Sequence, residues 1–119
     1  MNGPNPPLAR VITTDNFRRE AKPLVKKYRS LKSELEKLAE LLQHDSTHGE
    51  PLGQDCYKIR VAIASKNTGK SGGARVITYR RVFDAANQFV KLFLLSVYDK
   101  SETASIGRDE ITRLIDEME

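Results

Sequence analysis

The sequence predicts an α+β domain of order β-α-α-β-β-β-α, and three observations carry that prediction. Tyr57, Ile59, Val61 and Ile63 alternate with Lys58, Arg60 and Ala62, the period-2 pattern of a half-buried strand. Leu31, Leu35, Leu38 and Leu42 recur at helical spacing and make one apolar stripe. Phe89 to Tyr98 is nearly continuously apolar, β-branched and aromatic, which suits a short central strand covered on both faces. A leucine-faced helix needs a sheet to cover it, so helices and strands belong to one domain.

The elements follow in order. Met1 to Ala9, with Pro4, Pro6, Pro7 and Gly3, has the composition of a disordered leader, which leaves residues 10–119 as one domain. Arg10 to Thr14 is a β-branched run suited to a first strand. Asp15 is placed to cap a helix bearing Phe17, Ala21, Leu24 and Tyr28, within which Pro23 removes one backbone bond and predicts a kink or break. Ser30 caps the leucine-striped helix, and the pair forms an αα-hairpin. Gln43 to Asp55 reads as a loop, and Cys56 to Tyr79 as two strands joined by a glycine- and lysine-rich connection. Phe83 to Gln88 reads as a turn. Ser105 or a neighbour caps a last helix striped by Ile111, Leu114, Ile115 and Met118, with Asp109 and Glu110 in its first turn.

Composition bounds what the domain does. At 39% hydrophobic and 30% charged residues, 119 residues make an ordinary globular chain with one modest core. No apolar run reaches the ~18–20 residues of a membrane span, and the first residues lack a charged region followed by an apolar one. With one cysteine there is no internal disulfide framework, so the expected compartment is the reducing cytoplasm. The net charge of +4 is unevenly spread. Residues 56–100 carry nine Lys or Arg against two Asp, whereas residues 101–119 carry two against six Asp or Glu. A basic middle beside an acidic end points to a polyanion bound by the middle.

Within that middle, Lys58 and Arg60 share a strand face and lie roughly 6.5–7 Å apart, close enough to touch one phosphodiester. Arg75 opens the next strand, within cross-strand reach if the two strands pair. Lys66 and Lys70 on the glycine loop, with Arg80 and Arg81, are further candidate phosphate contacts. Tyr98 and Lys100 share a parity and can edge onto the same surface. Ala64 to Ser71 satisfies a relaxed phosphate-loop pattern, but a β-branched run follows where that motif needs a helix, so no nucleotide cofactor is expected. His44 and His48 are spaced as i and i+4, yet no Cys or carboxylate motif completes a metal site. Cys56 is expected to be a small packed residue, not a nucleophile.

CYKIR, GKSGGARVITY and LLSVYDKSE, following a helical hairpin of the type AKPLVKKYRSLKSELEKL, together resemble the RelE/ParE superfamily of type II toxin–antitoxin toxins. The similarity is to its RelE/HigB-like branch and covers roughly Arg10 to Glu119. It implies a small twisted antiparallel sheet with an N-terminal helical hairpin and a C-terminal helix. It also implies an endoribonuclease that cuts mRNA in the ribosomal A site and is silenced by an antitoxin protein. Lys58 and Arg60 match the paired basic residues of the family's strand, Arg75 the arginine that begins the next one, and Lys100 falls near the basic residue after the last strand. The tyrosine near the family's C-terminal helix falls around Gly107, which leaves Tyr98 as the substitute.

RNA supplies its own nucleophile, the 2′-hydroxyl, so cleavage needs a base, an acid and charge stabilisation at phosphorus, without metal or cofactor. No His or carboxylate lies within the basic strands, so lysine and tyrosine must serve. Lys58 is the expected base or its electrostatic partner, Arg60 and Arg75 the phosphate clamp, and Lys100 or Tyr98 the leaving-group acid. Two other readings use the same surface: a ParE-like toxin that inhibits DNA gyrase by binding, and a basic RNA-binding module without cleavage.

Overall fold

A computed structural model describes residues 8–66, 69, 72–84, 86 and 89–118. The elements are β1 (Arg10–Thr13), α1 (Asp15–Lys27), α2 (Leu31–His44), β2 (Glu50–Gly53), β3 (Cys56–Val61), β4 (Ala74–Asp84), β5 (Phe89–Asp99) and α3 (Arg108–Met118), with one 3₁₀ turn at Ala64–Lys66. The class is α+β. The five strands form one sheet in the order β1-β5-β4-β3-β2, with α1 and α2 on one face and α3 on the other.

Two cores result. Phe17, Leu24, Leu31, Leu38 and Leu42 of the helical hairpin pack on Ile59, Val61, Val76, Leu92, Leu94 and Val97. On the opposite face Ile111 and Leu114 of α3 pack on Cys56, Ile77, Leu95 and Tyr98. The β5 run is nearly continuously apolar, and from Leu92 to Tyr98 helices cover both its faces, as its composition predicts.

The structure departs from the sequence expectations at definite places. The sheet is mixed, not antiparallel: β1 runs parallel to β5, pairing Arg10 with Lys91 and Thr13 with Leu94. A four-residue run carries no signal of direction; the helical hairpin carries the chain from β1 to β2 at the opposite edge, and the β2–β5 meander returns to lay β5 parallel beside β1. The segment read as a loop contains β2, which pairs antiparallel with β3 through Glu50–Lys58 and Pro51–Tyr57. Its hairpin turn is Gln54-Asp55, both at positive φ (56° and 61°), a turn usually announced by Asn-Gly or Asp-Gly. Thr14, not Asp15, caps α1, its hydroxyl accepting the Phe17 amide at 3.2 Å. Pro23 does not break α1, which runs continuously from Asp15 to Lys27 with Pro23 on its exposed side. β4 extends to Asp84, into the stretch read as a turn, and α3 starts at Arg108, later than the Ser105 region. Ala9, at the end of the presumed leader, is buried and its amide donates to the Gln43 carbonyl at 2.8 Å.

One irregularity decides how the sheet presents its side chains. Between Ile77–Ser96 and Thr78–Leu94 the register slips by one, a bulge that leaves Leu95 as the extra residue of β5. Odd-numbered residues of β5 face α3 before the bulge, and even-numbered ones after it. Phe93 therefore stacks beside Tyr79 on the same sheet face that carries Tyr98 opposite Arg75.

Gly73, just after the lysine-rich connection, has a packing reason. A Cβ on Gly73 would lie 2.1 Å from the Val61 carbonyl oxygen, and backbone cannot yield. Gly73→Ala is expected to cost about 2 kcal/mol or more by overpacking, read as a lowered urea midpoint with unchanged slope.

Candidate functional site

The register of β3, β4 and β5 assembles a lateral row. Arg60 pairs with Arg75, and Arg75 with Tyr98, so the three side chains stand side by side across three strands. Lys58 opens the next row, paired with Ile77, which pairs with Ser96. This is the α3 face of the sheet, and strand pairing alone brings together four of the five residues expected to be catalytic.

Their environments differ. Arg60 is exposed, whereas Arg75 is only 5% exposed and donates at 3.2 Å to the carbonyl of Ala74. Tyr98 is buried within the α3 core, and its hydroxyl has no hydrogen-bond partner among the described residues. Burial pushes that hydroxyl's pKa up, and the positive charge of Arg75 offsets only part of the effect, so Tyr98 keeps its proton at neutral pH. Lys58 is half-buried, with its ammonium 3.6 Å from the exposed Glu50 carboxylate. An exposed partner of this kind contributes little and yields readily to a phosphate.

Lys58 opens into a cleft of about 220 Å³ between the β2–β3 hairpin and the chain entering α3, walled by Gly53, Gln54, Ile77, Ile106 and Arg108. Arg108 is the cation that the sequence reading missed. A signal was present, since a positive charge at the first position of a helix opposes the macrodipole and needs another justification. The larger cleft, about 410 Å³, lies elsewhere, between β1, the start of α1 and the end of α3. It gathers Arg18, Arg19, Asp15 and Glu117, and none of the expected catalytic residues lines it.

No family model matches the chain, and no curated protein does.

The other expected residues are dispersed. Lys100 follows the end of β5, its amide donating to Gly73 and its ammonium donating at 2.6 Å to the Ala104 carbonyl. Lys66, expected to contact phosphate, is engaged within the fold. Its ammonium donates at 2.6 Å to Oδ1 of Asp99, whose side chain is fully buried, and at 2.9 Å to Ser101 Oγ. Arg80 points to the helical-hairpin side, where its Nε donates to Ser46 Oγ at 2.9 Å. Arg81 stacks 4.8 Å over the Phe83 ring at the far end of the sheet. Lys70 lies outside the described residues. Among the described residues no group of three His, Cys, Asp or Glu could hold a metal ion. Cys56 is buried at the start of β3, and burial pushes its thiol up to about 11, so it is a packed group and a poor nucleophile.

Proposed function

We propose that this protein is a RelE/HigB-like toxin that cleaves mRNA on the ribosome. The single observation that carries the reading is the row Arg60–Arg75–Tyr98, with Lys58 beside it, on one sheet face. Strand pairing sets two guanidinium groups side by side on one face, where a single anion can meet both. The spacing of adjacent strands, ~4.7–4.9 Å, lets two guanidinium groups hold one phosphodiester.

In this mechanism Arg60 and Arg75 bind the non-bridging oxygens and stabilise charge as phosphorus becomes five-coordinate. Lys58 removes the proton of the 2′-hydroxyl, whose oxygen attacks phosphorus while the bond to the 5′-oxygen breaks. Tyr98 gives its proton to that leaving oxygen. The products are a 2′,3′-cyclic phosphate and a 5′-hydroxyl. The Tyr98 hydroxyl is buried, so the substrate reaches it by parting its contacts with the α3 core. Arg108, on the wall of the Lys58 cleft, adds a further cation for the phosphate. An acidic antitoxin segment is the expected inhibitor of such a surface, and the ribosome with its mRNA the expected target.

The test is a map of RNA 5′ ends after brief expression of wild type and Lys58→Ala. Cuts at fixed positions within codons, confined to translated regions and lost in the variant, support the reading. Growth arrest without cuts would sink it and turn attention to DNA gyrase.

A further inference from the structure

At the other end of the same sheet face, the register builds a second cationic row. Arg81 pairs with Lys91, and Lys91 pairs with Arg10 of β1, so three cations stand side by side across β4, β5 and β1. Among the described residues no carboxylate forms an ion pair with Lys91. Its ammonium instead lies 4.6 Å over the Phe83 ring and 5.9 Å from the Phe89 ring. A cation held over a ring keeps its full charge, unlike Lys66, whose charge Asp99 meets.

The rings themselves are unusually open. Phe83 and Phe89 are 47% and 40% exposed, and their centroids lie 6.2 Å apart. A pair of open aromatic rings beside a row of cations matches one ligand chemistry better than others. Bases of a single strand stack on rings while its phosphates meet the cations, and a duplex offers no free base faces. We propose that the β4–β5 end of the sheet is a second nucleic-acid contact, which binds single-stranded RNA through Phe83 and Phe89 with Lys91 and Arg10 on the phosphates. The choice of RNA over DNA rests on the reading of the protein as an mRNA nuclease; the stacking and charge do not. The row sits six residues along β4 from Arg75, ~20 Å on a strand, and α3 packs on the sheet between them. The two rows therefore grip different stretches of RNA.

The experiment is fluorescence anisotropy with a 2′-O-methyl oligouridine, which cannot be cleaved, and an abasic 2′-O-methyl strand of equal length. Phe83→Leu/Phe89→Leu is expected to weaken oligouridine binding about tenfold or more, with abasic binding unchanged. Lys91→Gln is expected to weaken both probes alike and lower the salt slope by about 0.7. Both effects should persist in a Lys58→Ala/Arg60→Ala/Arg75→Ala background, which removes the cations of the first row. Equal oligouridine affinity for wild type and the phenylalanine variant would overturn the proposal, as would an equal loss on the abasic strand. If the variant instead loses self-association in sedimentation while binding RNA normally, the patch belongs to a second copy of the chain. The outcomes separate the two functional readings. A protein that cuts no mRNA yet shows ring-dependent RNA binding sinks the nuclease and keeps this site; one that cuts mRNA and binds RNA independently of the rings does the reverse.

Discussion

Replacing Arg75 with alanine is expected to slow single-turnover cleavage of ribosome-bound mRNA by about 10²–10³-fold, with programmed-ribosome affinity changed far less. Arg75 is the middle member of the Arg60–Arg75–Tyr98 row and, at 5% exposure, the better desolvated of the two arginines. A guanidinium in that position stabilises developing charge more than one in water does. Arg75→Lys is expected to recover little, because a lysine is a point charge and cannot present two parallel donors. Tyr98→Phe is expected to lose about 10²-fold, since it keeps the ring in the α3 core and removes only the proton. Far-ultraviolet circular dichroism and a urea titration on each variant separate lost chemistry from lost fold. A rate within a few-fold of wild type for folded Arg75→Ala would remove it from the clamp.

The second large effect concerns stability. Asp99 accepts hydrogen bonds from Lys66 Nζ (2.6 Å), Tyr28 Oη (2.6 Å), Ser101 Oγ (2.7 Å) and the Ser101 amide (2.9 Å). Burial alone would push its carboxyl up, but the Lys66, Tyr28 and Ser101 donors outweigh it and hold the carboxyl well below the usual carboxylate range. Lys66→Met leaves that charge without its cation and is expected to cost about 3–5 kcal/mol, read by urea unfolding at neutral pH. Lys66→Met with Asp99→Asn should recover part of the loss, because the two groups are coupled.

The sign of the pH dependence follows from the lowered value. The unfolded carboxyl, near ~3.9, takes up its proton first as the solution is acidified. The folded state therefore binds fewer protons, and stability is full above that range and falls as the pH drops toward the folded value. Asp99→Asn is expected to flatten this acid limb. An acid limb identical to that of wild type would show that Asp99 is not the group responsible.

Much of this was legible in the chain. The leucine stripe of α2, the alternation of β3 and the nearly continuous apolar run of β5 each state a local pattern, and that pattern follows directly from which faces meet water. Arg75 was legible as a neighbour of the Lys58–Arg60 face because it opens the strand that follows β3, but the twelve-residue connection leaves the register open, and only the fold sets it opposite Arg60. β2 was not legible. Glu50-Pro51-Leu52-Gly53 has weak strand propensity, and its pairing with β3 and the Gln54-Asp55 turn supply what the residues lack. The partner of Lys66 was not legible for a related reason. A lysine in a glycine-rich connection looks solvated until the fold brings Asp99, 33 positions later, to its ammonium.

By itself, then, the sequence determined the elements, the apolar faces that force α1 and α2 onto the sheet, and the concentration of positive charge in the middle of the chain. These depend on neighbours within a few residues, and local spacing encodes them. The tertiary structure alone decided which cations stand together. The Leu95 bulge reverses the alternation of β5, so Lys91 and Tyr98, of opposite parity, reach one face. The parallel return of β1 sets Arg10 beside Lys91. Both depend on register between strands distant in sequence, where a shift of one residue exchanges every side chain between core and surface.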